Sequence, residues 1–279
     1  MPVVKVLLTL HFLVNLITPL PSMPNFGILF DLDGVIYQGN ALIAGAKESI
    51  SLLRQNNIPF RFITNTTRMT KRNLVTKLKS MGLSLEINEV FAAPHAAVEY
   101  CKSKGYKKIE LVVPDRSMEE DFADFDLHTD NPQAIVMGDM GNQFTFDLLN
   151  SLFKKILTGA EIVALHKNKY WHSGKELTLD LGAFVSALEF ATEKESVVIG
   201  KPSPHLFQLA SKPWELPFKS IFMVGDDINS DINGAYNVGM QSVLVKTGKY
   251  REESLKRSEI KPDYIINSVA DLPEILPLN

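Results

Sequence analysis

The stretch that decides the fold is GILFDLDGV, residues 27–35, in which an apolar run is followed by two aspartates. Short apolar runs of this kind are typical of strands buried in a parallel sheet. Side chains alternate between the two faces of a strand, so Asp31 and Asp33 point the same way at its end. Two carboxylates that close repel each other, and at least one has a raised pKa unless a cation relieves the repulsion. The stretch therefore predicts a buried strand whose end holds a metal, a shared proton or solvent.

Runs of the same kind recur along the chain and alternate with amphipathic segments. The predicted strands are 27–30, 60–64, 109–113, 134–137, 161–165, 196–200, 220–225 and 242–245. Helical periodicity covers 46–56, 70–81 and 145–157, and glycines follow the last two. This alternation predicts an α/β fold with a doubly wound, Rossmann-like parallel sheet. If the first strand and 220–225 are neighbours, a long segment is inserted between them.

Composition excludes several classes of protein. The 279 residues are 45% apolar and 22% charged, as in ordinary globular proteins. The net charge of −3 gives no basic surface for nucleic acid. The single cysteine, Cys101, cannot form an internal disulfide, and we predict that it is a small buried residue.

Residues 1–22 are apolar, but Lys5, His11 and Asn15 interrupt the run. Three interpretations stay open: a dispensable extension ahead of a start-like Met23, a signal or anchor, or a packed helix. The run is short for a membrane span and has no clear cleavage site. We predict that it lies outside the fold and that the protein is cytoplasmic and not membrane-bound. A real signal would make it exported or anchored instead.

Polar residues that could carry chemistry follow four of the predicted strands. Ligands of parallel sheets collect at the carboxyl ends of strands. Magnesium prefers carboxylates and waters and often bridges to phosphate oxygens, while lysine, threonine and asparagine can bind those oxygens. The sequence therefore predicts a site for Mg²⁺ and a phosphoryl group, made by Asp31, Asp33, Thr64, Asn65, Lys201, Asp226, Asp227 and Asp231.

Each of these residues alone has a structural alternative. Thr64 could begin a helix, although Thr70 is an equally good N-cap. Ser203 could cap a helix that starts near Pro204. The segment 225–231 could be a turn or a calcium loop, but it lacks the ligand pattern of an EF-hand. The four groups in this order, each at a strand end, favour the functional interpretation.

The motifs FDLDGV (30–35), TN (64–65), GKPSP (200–204) and GDDINSD (225–231) resemble, in order, the four motifs of the haloacid dehalogenase-like hydrolase superfamily. The resemblance runs from about residue 24 to the C-terminus. It is closest to the subgroup with a large α/β cap inserted between the second and third motifs. The runs 138–150, 164–171, 179–192 and 243–250 resemble the phospholysine phosphohistidine inorganic pyrophosphate phosphatase branch.

The resemblance implies a role for each site residue. Asp31 would be the nucleophile that forms an aspartyl phosphate, and Asp33 the general acid and then the general base. Asp226 would hold Mg²⁺ with the Asp31 carboxylate and the Asp33 backbone carbonyl. Asp227 and Asp231 would orient that ligand or Lys201. The substrate would be a small phosphorylated compound: a phosphoester, a phosphoamidate or pyrophosphate.

The resemblance also implies a division of the chain. Residues 24–92 and 191–279 would form the hydrolase core, and 93–190 the inserted cap, through which the protein could form a homodimer. Candidate substrate-facing residues in the cap are Asn142, His166, Lys169, Tyr170, Trp171 and His172. The simpler interpretation, which we favour for each, is that the aromatic ones pack in the cap and the polar ones are solvated. The acidic segment 119–126 is predicted to be a solvated loop.

The same fold supports other activities. A phosphotransferase or phosphomutase would use the same four groups. A dehalogenase would not need Asp33 as a proton donor. A non-catalytic binding protein is opposed by the intact set of site residues, and a receiver domain would leave the middle of the chain unexplained.

Overall fold

The computed structural model describes residues 25–173 and 176–278, and the predicted extension 1–22 lies outside them. Strands and helices alternate along this part of the chain. The strands are β1 (Gly27–Phe30), β2 (Tyr37–Gln38), β3 (Ala41–Leu42), β4 (Phe60–Thr64), β5 (Val90–Ala92), β6 (Ile109–Val112), β7 (Ala134–Met137), β8 (Glu161–Ala164), β9 (Tyr170–Ser173), β10 (Glu176–Leu179), β11 (Val197–Val198), β12 (Ile221–Gly225), β13 (Gln241–Val245) and β14 (Tyr264–Ile266). The helices are α1 (Ala46–Gln55), α2 (Lys71–Ser80), α3 (Ala93–Ser103), α4 (Phe146–Leu157), α5 (Leu181–Thr192), α6 (Pro204–Ser211), α7 (Asn233–Val238) and α8 (Glu252–Arg257).

The main sheet has six strands in the order β14-β13-β12-β1-β4-β5. Every pairing within it is parallel. The predicted α/β, Rossmann-like class is confirmed. The strand that carries the two aspartates lies in the middle of this sheet, next to β4 and β12, so the chemistry of three neighbouring strand ends meets there.

A second parallel sheet has four strands in the order β11-β8-β7-β6. Along the chain, these strands lie between β5 and β12 of the main sheet. Val197–Val198 was assigned to the core segment 191–279, but it pairs with Glu161–Ala164 in this second sheet. A strand of two residues can pair with the edge of either sheet, and the sequence alone does not show which sheet it joins. The division into a core and a cap with the given boundaries otherwise stays a prediction.

The side chains of β1 alternate between the two faces of the main sheet, and this explains how the two sheets are held together. Ile28 and Phe30 belong to one buried apolar cluster, on one face of the main sheet. Leu29 belongs to another, which also contains Val136 and Val163 from the second sheet. All three side chains of β1 are fully buried. The two sheets therefore share a continuous apolar core.

Several helices begin where a polar side chain caps them. The Thr70 hydroxyl accepts a hydrogen bond from the Asn73 N–H at 3.1 Å, as predicted. Asp180 Oδ1 accepts one from the Leu181 N–H at 2.7 Å. Ser203 occupies the N-cap position of α6 but makes no capping bond, because its hydroxyl lies 3.1 Å from His205 Nδ1 instead.

Two expectations about the surface and the core can be compared with the structure. Residues 119–126 were predicted to be a solvated acidic loop face, and Glu120, Asp124 and Asp126 are exposed. The loop part of that prediction was wrong, because Arg116–Phe122 is a short helix that buries Phe122, and Phe125 is also buried. The predicted burial of Cys101 is confirmed. Among the described residues, no helix combines the length and the apolar character that crossing a bilayer requires.

Candidate active site

The structure brings the predicted strand ends together around a buried lysine. Lys201 reaches in from the loop after β11, and its Nζ lies 2.6 Å from Asp31 Oδ1 and 2.7 Å from Asp231 Oδ1. The residue is only 3% exposed. Burial by itself lowers the pKa of Lys201, but Asp231 and Asp31 outweigh it and raise that pKa above its ordinary value. Lys201 is therefore charged and neutralises two carboxylates of the site.

The side-chain amide of Asn65 holds the backbone of Lys201 in place. Its Oδ1 accepts a hydrogen bond from the Lys201 N–H, and its Nδ2 donates one to the Lys201 carbonyl, each at 2.8 Å. One of the two Nδ2 protons is still available to donate, so the contact of Asn65 with phosphoryl oxygens stays a prediction. Thr64, at the end of β4, accepts a hydrogen bond from the Thr66 N–H at 3.2 Å and keeps its own hydroxyl proton to donate.

Three buried carboxylates could hold a metal ion. Asp31, Asp226 and Asp231 each offer an oxygen, and these oxygens lie within 4.8 Å of one another. Asp226 Oδ1 is buried and has no hydrogen-bond partner among the described residues. Burial first, and then Asp31 and Asp231, raise the pKa of Asp226 to about 7. A buried, unpartnered oxygen among like charges fits a hard cation such as Mg²⁺.

Asp231 and Asp227 shape the loop that carries Asp226. Asp231 is fully buried, and its Oδ2 accepts hydrogen bonds from the N–H groups of Asp226 and Asp227 at 3.2 and 3.1 Å. Asp227 Oδ1 accepts one from the Asn229 N–H at 2.9 Å. Since Lys201 already binds Asp231 Oδ1, we interpret Asp231 as a residue that orients its neighbours, in keeping with the role that the resemblance implies.

The loop that follows β13 completes the surroundings of Asp226, and sequence reasoning missed it. The Lys249 N–H donates a hydrogen bond of 2.6 Å to Asp226 Oδ2. Gly34 and Gly248 both have positive φ, and a Cβ on either would collide with that same oxygen. The Thr247 hydroxyl donates to the Gly34 carbonyl. The sequence analysis used residues 243–250 only for the family resemblance and gave them no role in the site.

Asp33 differs from Asp31 in its surroundings. Its side chain is exposed, whereas Asp31 is 6% exposed, and its carboxylate lies outside the three-acid cluster. Tyr37 lies close by: the Gly34 N–H donates to its carbonyl at 2.7 Å. Burial, then Asp33 and Asp31, raise the pKa of Tyr37 to about 12. An exposed carboxylate beside a buried one allows the two acids to have different chemical roles.

Of the candidate substrate-facing residues whose side chains the structure describes, only His166 lines a cavity near this site. It lines a polar cavity of about 240 Å³ together with residues 65–68. Asn142 and Lys169 are exposed, and Tyr170 is 56% exposed. The side chains of Trp171 and His172 lie outside what the structure describes.

The two parallel sheets, with acids, an amide and a lysine gathered at their strand ends, indicate an α/β enzyme that binds a metal ion and a phosphoryl group. A family model described as haloacid dehalogenase-like hydrolase matches residues 28–128, and one described as HAD-hydrolase-like matches residues 198–272. Haloacid dehalogenase-like hydrolase domain-containing protein 2 of Mus musculus is 36% identical over 224 residues, which cover 80% of this chain and 85% of the relative. The phospholysine phosphohistidine inorganic pyrophosphate phosphatase of Bos taurus is 33% identical over 257 residues, or 90% and 93% of the two chains. The chain belongs to the haloacid dehalogenase-like hydrolase family.

Solved structures agree with this assignment. The p-nitrophenyl phosphatase from Archaeoglobus fulgidus superposes with a TM-score of 0.83 at 26% identity, over 91% of this chain and all of that one. The 4-nitrophenylphosphatase from Thermotoga maritima gives a TM-score of 0.80 at 27% identity, over 88% and 95% of the chains. The predicted resemblance and the predicted hydrolase class are confirmed.

Proposed function

We propose that this hydrolase is a magnesium-dependent phosphatase that acts on a small phosphorylated substrate through an aspartyl phosphate. The observation that carries the proposal is the placement of Asp31. One of its oxygens is held 2.6 Å from the ammonium group of Lys201, beside the unpartnered oxygen of Asp226. Bound by Asp31, Asp226 and the Asp33 carbonyl, Mg²⁺ would supply positive charge for the phosphoryl oxygens.

In the first half of the reaction, Asp31 attacks the phosphorus atom and the bond to the leaving group breaks. Lys201 lies close enough to neutralise the phosphoryl oxygens, and its charge is secured by Asp231. Asp33, exposed and free of the three-acid cluster, donates a proton to the departing oxygen or nitrogen. The product is the free leaving group and a phosphoryl group on Asp31.

In the second half, Asp33 takes a proton from a water molecule, which attacks the phosphorus atom of the aspartyl phosphate. The bond between phosphorus and the Asp31 oxygen breaks, so inorganic phosphate leaves and both carboxyl groups return to their starting state. Asp33 is exposed, so a water molecule can reach it for this step.

The names of the relatives support a phosphoryl substrate but differ in the kind of phosphorus bond that is hydrolysed. The Bos taurus relative is named for phospholysine, phosphohistidine and pyrophosphate, and two of the structural neighbours for nitrophenyl phosphate. We take the shared element, a transferable phosphoryl group on a small molecule, as the substrate class. Homodimer formation through the cap, and a cytoplasmic location, stay predictions.

The test is phosphate release by the purified full chain from p-nitrophenyl phosphate, pyrophosphate and a panel of phosphorylated metabolites and amino acids. Release is expected with magnesium, is lost in chelator and returns when magnesium is restored. Asp31→Asn abolishes it, whereas Asp147→Asn, at an exposed position of α4, leaves it unchanged. Full activity in chelator, or no release from any compound, contradicts the proposal. Transfer to an added alcohol without release of phosphate would indicate a phosphotransferase instead.

A further inference from the structure

The polar cavity beside Asn65 has a composition that the proposed chemistry does not use. Its volume is about 240 Å³, and it is lined by residues 65–68 and by Asp139, His166 and Asp180. All of these side chains are polar, and the last three follow β7, follow β8 and precede α5. The cavity therefore lies where the second sheet faces the loop that follows β4. Asn65 links it to the catalytic group, because that residue holds the backbone of Lys201, whose ammonium group binds Asp31.

One side of the cavity is a neutralised ion pair. Arg68 Nη2 lies 2.5 Å from Asp139 Oδ2, and Asp139 Oδ1 accepts a hydrogen bond of 2.9 Å from the Gly141 N–H. Asp139 is 6% exposed, so its charge is balanced within the protein. Both of its oxygens have partners, and this acid is not the group that awaits a ligand.

The other side holds a carboxylate whose charge is not balanced. Asp180 is 5% exposed, and its Oδ1 accepts the N–H of Leu181 at 2.7 Å. Within the described part of the chain, no group hydrogen-bonds to its Oδ2. The nearest candidate cation is His166, but its Nε2 lies 3.7 Å from Asp180 Oδ1, beyond hydrogen-bond reach.

His166 is moreover held in its neutral form. Its Nδ1 accepts a hydrogen bond from the Asn168 N–H at 3.5 Å, which leaves the proton on Nε2. Burial lowers the pKa of His166; Asp180 and Asp139 oppose that effect and Arg68 adds to it. Apart from His166, the ionisable side chains that line the cavity are two carboxylates and one arginine, so acidic groups outnumber basic ones. A buried carboxylate in this state gains from a cationic partner.

We propose that this cavity receives the leaving group of the substrate and selects one that carries a cationic nitrogen, which pairs with Asp180. The inference rests on the proposed phosphatase function and narrows its substrate class to phosphorylated small amines. Neutral or anionic leaving groups would leave Asp180 buried and unpaired. A site built around a buried polar partner discriminates against analogues that lack the matching group.

The experiment compares matched substrates on wild-type protein and on Asp180→Asn. The substrates are aminoalkyl phosphates of increasing chain length, each set against the alkyl phosphate with a methyl group in place of the ammonium. Asparagine is as good an N-cap as aspartate, so α5 keeps its start while the charge is lost. The control is Asp115→Asn, the same change at the N-cap of Arg116–Phe122, outside the cavity. Asp180→Ser, also a good N-cap, serves as a second variant should the first fold poorly.

The expected result is a kcat/KM ratio of amine to alkyl substrate that falls by ~10–100-fold in Asp180→Asn and is unchanged in Asp115→Asn. Hydrolysis of p-nitrophenyl phosphate separates the two proposals. If the protein hydrolyses it but shows no amine preference, or the preference survives in both Asp180 variants, the amine site is refuted and the phosphatase stands. If no phosphorylated compound is hydrolysed, both proposals fall.

Discussion

Replacing Lys201 should lower the free energy of unfolding, because the lysine is the cation that two buried carboxylates share. In Lys201→Met, two acids lose their cation: Asp231, which is fully buried, and Asp31, whose side chain is 9% exposed. Breaking a buried ion pair by removing one partner costs ~3–5 kcal/mol, since the remaining charge has neither water nor a counterion. We expect a loss in this range at pH 8 in chelator, measured as the free energy of unfolding in urea. Lys47→Met, at an exposed position of α1, should change it by less than ~0.5 kcal/mol.

The sign of the pH dependence follows from Asp231. Burial raises its pKa and Lys201 lowers it, so the variant removes a lowering effect and the folded-state pKa rises further. A carboxyl group whose folded pKa exceeds its unfolded pKa destabilises the fold as pH rises through that interval. In the wild type, the raised pKa of Lys201 keeps its contribution fully present well above pH 8. The loss in Lys201→Met should therefore shrink between pH 8 and pH 5.

A double variant decides between charge and packing. In Lys201→Met with Asp231→Asn, the asparagine oxygen can still accept the two backbone hydrogen bonds, and no buried carboxylate remains at that position. We expect it to recover ~2 kcal/mol or more of the loss, because replacing both partners is far less costly than removing one. A single-variant loss below ~1 kcal/mol at pH 8, a loss that does not shrink at pH 5, or a double variant less stable than the single one would refute the reasoning.

Three further predictions concern the site and the fold. Asp33→Asn should slow turnover by ~10²–10⁴ and, with p-nitrophenyl phosphate, accumulate a phosphoryl group on the peptide that contains Asp31, seen by mass spectrometry after acid quench; wild-type turnover, or phosphate elsewhere, contradicts its role. Gly34 has φ +86° and no room for a Cβ, so Gly34→Ala should raise the magnesium concentration needed for half-maximal activity. Gly82 has φ +90° but lies in open space, so the control Gly82→Ala should cost ~1–2 kcal/mol of stability and leave that concentration unchanged. Equal magnesium requirements in the two variants would refute the role of Gly34. Thr70→Ala should lower the free energy of unfolding by ~1 kcal/mol through loss of the N-cap, with no change in turnover, and an unchanged unfolding midpoint would show that the cap contributes nothing.

The sequence predicted well whatever depends on local pattern. The buried run at β1 and the helices α1, α2 and α4 were found within a residue or two, because apolar periodicity and N-cap residues are local signals. Short edge strands such as Val90–Ala92 and Tyr264–Ile266 were missed, since three residues carry no period of their own. The residues after each central strand were also predictable, because parallel strands present their ends together.

What the sequence could not show is which groups meet. Asn65 binds a backbone 136 positions away, a contact that no local pattern indicates. Asp139 and Asp180 were not singled out, because isolated acids next to a strand or helix are common and their burial is a tertiary property. Lys249 contributes through its N–H, a group that every residue except proline shares, so its identity carries no signal.

The position of β1 also affects how the protein is made. Gly27 pairs with Ile221 and Phe30 with Val224, so the centre of the main sheet joins two stretches roughly 190 residues apart. The second sheet, whose strands all lie between Ile109 and Val198, can close earlier on the ribosome. Until the last quarter of the chain is synthesised, the fully apolar β1 has only one of its two neighbours. Contacts between residues so far apart in sequence form slowly. Until they form, the unpaired strand edges are exposed and prone to aggregation. A nascent chain stalled before β12 would therefore expose the strand that precedes Asp31 to chaperones.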